Sequence, residues 1–278
     1  MTSHDVVAIA RRALDTRKVG HAGTLDPMAT GILVLGFNNG TRLLQYITDG
    51  DKAYQASVVL GAATVTDDVE GEVISTADTS AITDTQIHDE LAKMRGTIMQ
   101  RPSSVSAVKI DGERAYDRVR AGEVVVLASR EVTISQLDVL AIRRGGTKVE
   151  IDIEVTCSAG TYIRSIARDC GEALKVGGHL SALRRTRVAG FGLDGAVSLA
   201  ALKAGEFSTL DLPDVARSTF PVREISLEEK LELSFGRKLA PNAAEGIYAG
   251  ISSANELIAL LSNVDGKAKP IAVFAAAH

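Results

Sequence analysis

Residues 20–31 read GHAGTLDPMATG and run directly into the apolar stretch ILVL at residues 32–35. The glycines of residues 20–31 permit tight turns and let a ligand approach the backbone closely. Asp26 stands in the middle and is followed by Pro27. An Asp-Pro pair in a glycine-rich loop is usually a helix cap or a turn. By itself the stretch therefore predicts a turn, and only its combination with other segments makes it a candidate reaction site.

Four further segments carry patterns that accompany this loop in the same order along the chain. They are DKAY at 51–54, RPSSVSAVK at 101–109, GTYIRSIA at 160–167 and LRRTR at 183–187. Together with residues 20–31 they resemble the motifs of the TruB family, the bacterial tRNA pseudouridine-55 synthases. The resemblance covers roughly the first three-quarters of the chain.

The resemblance implies an α+β fold with a mixed, largely antiparallel sheet flanked by helices. We expect a catalytic domain over residues 1–212 and a small, β-rich, PUA-like RNA-binding domain over residues 222–278. TruB-type chains usually carry a strand and a Lys-Pro-x-Gly element ahead of a segment like the one with which this chain begins. Either the sequence starts late or this protein lacks that element, so we do not count on the edge strand and its lysine as part of the expected fold.

The resemblance also assigns roles at the site. Asp26 corresponds to the nucleophilic aspartate, Arg164 to the arginine that pairs with it, and Tyr54 to the tyrosine that stacks on the target base and takes or relays the C5 proton. His21 corresponds to the histidine that fills the vacated place in the RNA stack, and Leu183 to an apolar wall. The remaining expected RNA contacts are Lys18, Lys109, Tyr162, Arg184 and Arg185. The expected partner is the T stem-loop of tRNA.

Composition limits the alternatives. No apolar run approaches the ~20 residues of a membrane-spanning helix, and no signal peptide begins the chain. The two cysteines, Cys157 and Cys170, are too few for a disulfide framework and suit a reducing, cytoplasmic setting. The five histidines are scattered, and no P-loop or dinucleotide-binding motif is present. We therefore expect a monomer without metal or cofactor.

Charge is unevenly distributed around a net value of −4. Residues 51–90 hold nine acidic side chains and one lysine, whereas residues 160–190 and 11–18 are rich in arginine and lysine. Basic clusters beside two of the motifs fit an RNA partner. Solvated faces of ordinary helices and strands explain each cluster equally well.

Periodicity and turn residues predict the local structure. Tyr54 falls on the apolar face of a strand over residues 52–60, and Arg164 and Arg168 share one face of a helix that Thr161 caps. The other predictions are a buried strand at 32–37, an acidic surface loop at 64–72, a helix at 83–94, a strand at 103–110, a helix at 113–120, strands at 131–142, 148–157 and 183–191, a linker at 212–221 and a terminal strand at 271–274.

Two other functions compete with the enzymatic one. A tRNA-binding or tRNA-folding chaperone would keep the fold and act without catalysis. A carboxylate-dependent glycosidase or transferase on a small substrate would need two paired acids, and the sequence shows no partner acid beside Asp26.

Overall fold

The computed structural model describes residues 1–104, 109–110, 113–114 and 127–274. In chain order the elements are α1 (Ser3–Ala13), β1 (Val19–His21), β2 (Thr30–Gly31), β3 (Leu35–Phe37), a 3₁₀ turn (Asn38–Arg42), α2 (Leu44–Asp49), β4 (Lys52–Leu60), β5 (Ala62–Thr64), β6 (Val73–Thr76), α3 (Asp84–Ala92), β7 (Gly96–Gln100), β8 (Lys109–Ile110), β9 (Glu113–Arg114), β10 (Arg130–Gly145), β11 (Lys148–Cys157), α4 (Ile163–Ala173), β12 (Gly178–Val188), β13 (Phe191–Gly192), α5 (Leu199–Ala204), α6 (Leu212–Thr219), β14 (Val222–Ile225), α7 (Leu227–Ser234), β15 (Ile247–Ser252), β16 (Leu257–Val264) and β17 (Lys267–Val273).

The chain forms two compact units. The first comprises residues 1–2, 25–32 and 49–195, and the second comprises residues 3–24, 33–48 and 196–278. The predicted α+β class with a mixed, largely antiparallel sheet is confirmed.

The first unit is built on a seven-stranded sheet in the order β13-β12-β4-β11-β10-β7, with β2 pairing to β12. All of these pairings are antiparallel except that of β2 with β12. Burial alternates along β4, so that Tyr54 lies on its buried face as predicted. Ile134, Ile151 and Ile153 fill the core of this unit from the neighbouring strands.

Helix α4 packs on β12 and α3 because an apolar stripe runs along it. Ile163, Ile166 and Cys170 belong to this stripe and are buried. The N-cap is Tyr162 rather than the predicted Thr161. The Thr161 hydroxyl donates to the Ser158 carbonyl at 3.0 Å, and the helix end has no side-chain cap hydrogen bond.

Several sequence-based boundaries are wrong. The buried strand predicted at 32–37 is limited to Leu35–Phe37, because Ile32 instead donates its amide to the Arg185 carbonyl at 2.9 Å. The strand predicted at 183–191 begins earlier, at Gly178. The linker predicted at 212–221 is helix α6, whose proline lies in the first turn, where a missing N–H costs nothing.

The segment around residues 103–120 also differs from its prediction. Glu113–Arg114 is a strand paired with Lys109–Ile110, not the start of a helix. The rest of the helix predicted at 113–120 lies outside the described residues. Ser103 and Ser104 are not in a strand.

The second unit contains a four-stranded sheet in the order β14-β15-β16-β17. Strands β14 and β15 are parallel, and the other pairs are antiparallel. Tyr248, Leu261 and Leu233 belong to a separate core cluster. The predicted terminal strand at 271–274 falls largely within β17.

In the described part of the chain, no helix has the length and apolar character that crossing a membrane requires.

The contact between β2 and β12 depends on Gly31. This residue has φ +95°, and a Cβ there would overlap the Arg185 carbonyl oxygen. The position therefore needs both the conformational freedom and the missing side chain of glycine.

Gly31→Ala is expected to lower the free energy of unfolding by about 2 kcal/mol or more, because backbone strain and a steric overlap add up. Chemical denaturation followed by circular dichroism measures this loss. Gly96→Ala is the matched control, since Gly96 has φ +85° but nothing within 4 Å of its Cβ position. Equal losses in the two variants would show that the overlap contributes nothing.

Candidate active site

Asp26 lies in the loop between β1 and β2, four residues ahead of Thr30. A turn closes behind it, in which the Ala29 amide donates to the Asp26 carbonyl at 2.9 Å. Met28 and Ala29 then pack against the core of the first unit. The loop is therefore anchored immediately after the carboxylate, which fixes where Asp26 points.

Arg164, the second residue of α4, meets Asp26 across 138 residues of sequence. Its Nε lies 2.9 Å from Asp26 Oδ2, and its Nη2 donates to Asp26 Oδ1 at 3.1 Å. This close ion-pair contact and this hydrogen bond together hold both carboxylate oxygens, so they fix the plane of the carboxylate as well as its position. The Arg164 side chain is 6% exposed and that of Asp26 is 31% exposed, so solvent reaches the acid but hardly reaches the arginine.

Asp68 binds the other end of the same guanidinium. Arg164 Nη1 lies 3.3 Å from Asp68 Oδ2 and donates to the Thr66 carbonyl at 2.8 Å. Asp68 is itself held by the Thr66 hydroxyl at 2.6 Å and the Glu70 amide at 3.0 Å. With a side-chain exposure of 5%, Asp68 is out of reach of a substrate.

Asp68 corrects two expectations from the sequence. The acidic stretch at 64–72 is not simply a surface loop, because Thr64, Asp67 and Asp68 are buried. A second acid, Asp68, does lie near Asp26, but it forms an ion pair with Arg164. The sequence feature that could have predicted this burial is the Asp67-Asp68 pair. Arg164 and Arg168 lie one helical turn apart, and two arginines need counter-charges once they are buried.

Opposing electrostatic effects act on the pKa of Asp26. Burial raises the pKa of Asp26 above its ordinary value, the Arg164 charge lowers it, and the Asp68 charge raises it again. The net direction is upward. Because Arg164 is shared between two carboxylates, it does not fully offset the desolvation of Asp26.

Tyr54 and Arg185 form the other side of the site. They are direct partners in the β12–β4 register, and the Arg185 guanidinium forms a hydrogen bond with the Tyr54 hydroxyl. Burial raises the pKa of Tyr54 to about 12. The charge of Asp26 acts on both Tyr54 and Arg185, and burial lowers the pKa of Arg185. Tyr54 is therefore a neutral phenol coupled electrostatically to the candidate acid.

Arg185, which is among the expected RNA contacts, is buried in the protein beside Tyr54. Its side chain is 1% exposed, and its Nε donates to the Ile32 carbonyl at 2.8 Å. Residues of a strand alternate between faces, so Arg185 shares the buried face of β12 with Leu183, while Arg184 is exposed on the other.

The other predicted contacts are distributed over the two units. Leu183 is buried opposite Ala56 of β4. Tyr162 is half-buried beneath the Arg130 guanidinium, whose central carbon is 4.9 Å from the ring centroid. Lys18 and His21 belong to the second unit, where His21 packs edge-on against His4. The side chain of Lys109 lies outside the described residues.

Among the described residues, no group of three or more His, Cys, Asp or Glu side chains could hold a metal ion. The chemistry available to this site is that of a partly exposed carboxylate, a buried arginine that orients it, and a neutral phenol. Such a set can attack or deprotonate a substrate and position an aromatic base.

Three family models match consecutive parts of the chain. Residues 11–163 match the family model "TruB family pseudouridylate synthase (N terminal domain)". Residues 164–211 match "tRNA pseudouridylate synthase B C-terminal domain", and residues 220–275 match "tRNA Pseudouridine synthase II, C terminal".

Curated relatives and solved structures also match. A protein of Arthrobacter sp. FB24 named tRNA pseudouridine synthase B is 52% identical over 285 residues, covering 99% of this chain and 93% of the relative. A protein of Corynebacterium diphtheriae with the same name is 52% identical over 264 residues, covering 94% and 88%. The fold resembles that in the crystal structure of a Cbf5-Nop10-Gar1 complex, with TM-score 0.73, 24% identity and coverage of 100% of this chain and 82% of the other.

Proposed function

Because this chain belongs to the TruB family of pseudouridylate synthases, we propose that it isomerises the uridine at position 55, in the T arm of tRNA, and that Asp26 performs the reaction. Membership of this family makes the chain a tRNA pseudouridine synthase, which is an isomerase. The arm, the position and the roles of individual residues are our proposal. The observation that carries it is the bidentate contact of Arg164 with Asp26.

The reaction breaks the N1–C1′ bond of uridine, turns the base and joins it again through C5. The proton at C5 leaves and N1 gains one, so nothing is oxidised or hydrolysed. Among the described residues of the site, Asp26 is the carboxylate that solvent can reach, which suits it to act at the sugar–base bond as nucleophile or base. Arg164 keeps that carboxylate oriented and favours its ionised form.

Tyr54 and Leu183 supply the surroundings of the base in this proposal. A uridine inside a folded arm must be extruded, which costs a few kcal/mol. Stacking on the Tyr54 ring returns ~1–3 kcal/mol, and Leu183 provides an apolar wall. Lys18, His21, Tyr162 and Arg184 are proposed RNA contacts, and residues 222–278 a PUA-like RNA-binding domain. We place the enzyme in the cytoplasm as a monomer.

The experiment uses a tRNA transcript labelled with tritium at C5 of uridine. Formation of pseudouridine releases that tritium to water, so release counts turnovers. We expect one equivalent per tRNA, and expect it also from an isolated T stem-loop. Replacing the uridine at position 55 by cytidine should abolish release. Release that persists after this replacement would contradict the proposed position, and turnover of free uridine would favour a small-molecule transferase.

A further inference from the structure

A second acid–arginine pair lies directly behind the pair that carries the site. Arg164 and Arg168 are one turn apart on α4, and Asp68 and Asp67 are adjacent in the loop after β5. Arg168 Nη1 is 3.3 Å from Asp67 Oδ2, the same separation as between Arg164 Nη1 and Asp68 Oδ2. Two consecutive aspartates thus hold two successive turns of the helix.

This second pair is buried and costly. The side chains of Arg168 and Asp67 are 10% and 11% exposed. Asp67 has φ +59°, a conformation that costs a residue with a side chain energy. Burial also raises the pKa of Asp67. Arg168 also pairs with the more exposed Asp169, whose Oδ1 lies 2.7 Å from Arg168 Nη2, so Arg168 does not need Asp67 for charge compensation alone. Since a buried ion pair contributes little net stability over an apolar one, the burial of Asp67 against Arg168 is not explained by stability.

Arg164 contacts two segments, the loop after β5 at Thr66 and the segment 101–103 at Ser103, and Arg168 binds both of them. Arg168 Nη2 donates to the Arg101 carbonyl at 2.7 Å, and its Nη1 to the Pro102 carbonyl at 3.4 Å. The next residue, Ser103, donates to the Thr66 carbonyl at 3.3 Å and lies 3.5 Å from Arg164 Nη1.

The loop after β5 is fixed from the other side as well. The Asp67 carbonyl accepts the Leu180 amide of β12 at 3.0 Å. Thr66, whose carbonyl accepts from Arg164, directly precedes Asp67. Any displacement of the Asp67–Arg168 pair therefore moves groups that define where the Arg164 guanidinium lies.

We propose that Asp67 and Arg168 are positioning residues that hold Arg164, and through it Asp26, in the geometry needed for pseudouridine formation. The inference rests on the proposed role of Asp26. Neither residue touches the substrate, and their effect is transmitted through the Thr66 carbonyl, the Ser103 hydroxyl and the Arg164 guanidinium. Errors of about 1 Å at a reacting group can cost ~10²-fold in rate.

Arg168→Met is expected to lower the single-turnover rate of tritium release by about 10- to 100-fold, while the Kd for tRNA stays within about threefold. Arg168→Lys should recover part of the rate, because a lysine can pair with Asp67 but cannot reach both backbone carbonyls. Arg95→Met is the control: Arg95 also donates to a backbone carbonyl of the first unit, that of Leu137, but contacts no group of the site, so its rate should be unchanged.

A double-mutant cycle separates positioning from general loss of stability. If Arg168 acts through Arg164, adding Arg168→Met to Arg164→Lys should change the rate by less than about threefold. Independent, multiplying effects would overturn the inference, as would an unchanged rate in folded Arg168→Met. Release from any uridine is counted in these assays, so a wrong target position leaves the test intact, whereas an inactive wild-type protein would refute the proposed function itself.

Discussion

Replacing Asp26 by asparagine is expected to abolish pseudouridine formation, with a loss of about 10⁴-fold or more, while tRNA binding persists. The amide keeps the size of the side chain but is neither a nucleophile nor a base, and losses of this order follow removal of a group that reacts covalently. We expect binding to persist because the proposed RNA contacts Lys18, His21, Tyr162 and Arg184 are unchanged in this variant. Tritium release under single turnover measures the rate, and filter binding measures the Kd, which we expect to change by less than about threefold.

Asp138→Asn is the matched control for this substitution. Asp138 is an exposed acid of the same unit and pairs with Arg95 at the surface, so its amide variant should keep full activity. An Asp26→Asn enzyme with near-normal turnover would remove the basis of the proposed mechanism. Loss of tRNA binding together with activity would instead make Asp26 a binding residue.

Arg164→Met is expected to reduce both the rate and the stability. It leaves Asp26 and Asp68 without their shared cation, and breaking a buried pair by removing one partner typically costs about 3–5 kcal/mol of unfolding free energy. The rate should fall by about 10²- to 10³-fold because the orientation of the Asp26 carboxylate is lost. Denaturation followed by circular dichroism and single-turnover tritium release check the two effects separately.

The pH dependence provides a further readout of the same change. Asp26 must be ionised to react, so the rate rises as pH increases through its pKa, which burial has already raised. Arg164 lowers that pKa; removing Arg164 should therefore move the acidic limb of the rate profile to higher pH. Where Arg164→Met fails to fold, Arg164→Lys retains the charge but cannot hold both carboxylate oxygens at once, and its acidic limb should move in the same direction. An unshifted limb would mean that the limb does not report Asp26.

Local sequence patterns are sufficient to predict which faces of β4 and α4 are buried. The alternation along residues 52–60 placed Tyr54 on the buried face of β4 without any tertiary information. The apolar stripe of α4 likewise predicted which side of the helix would pack inward. The meeting of Asp26 and Arg164 had a different source, since no periodicity links residues 138 apart, and it came from resemblance of the motifs.

The charged residues Asp68 and Arg185 are harder to place from sequence than the apolar ones. A charged side chain is buried only when a distant partner compensates for it, and composition cannot show that partner. Asp68 looked like part of a solvated acidic loop because its partner Arg164 lies far along the chain. Arg185 looked like an RNA contact within a basic run, although period-two alternation already placed it on the same face as Leu183.

The hydroxyl of Tyr54 has a consequence for the fate of hydrogen in the reaction. Burial raises the pKa of this phenol to about 12, so Tyr54 keeps its proton near neutral pH. If Tyr54 takes the C5 proton in the proposed reaction, it has to pass its own proton on in the same step. In that proposal Tyr54 is one member of a chain of donors and acceptors that leads to solvent, where the released tritium is counted.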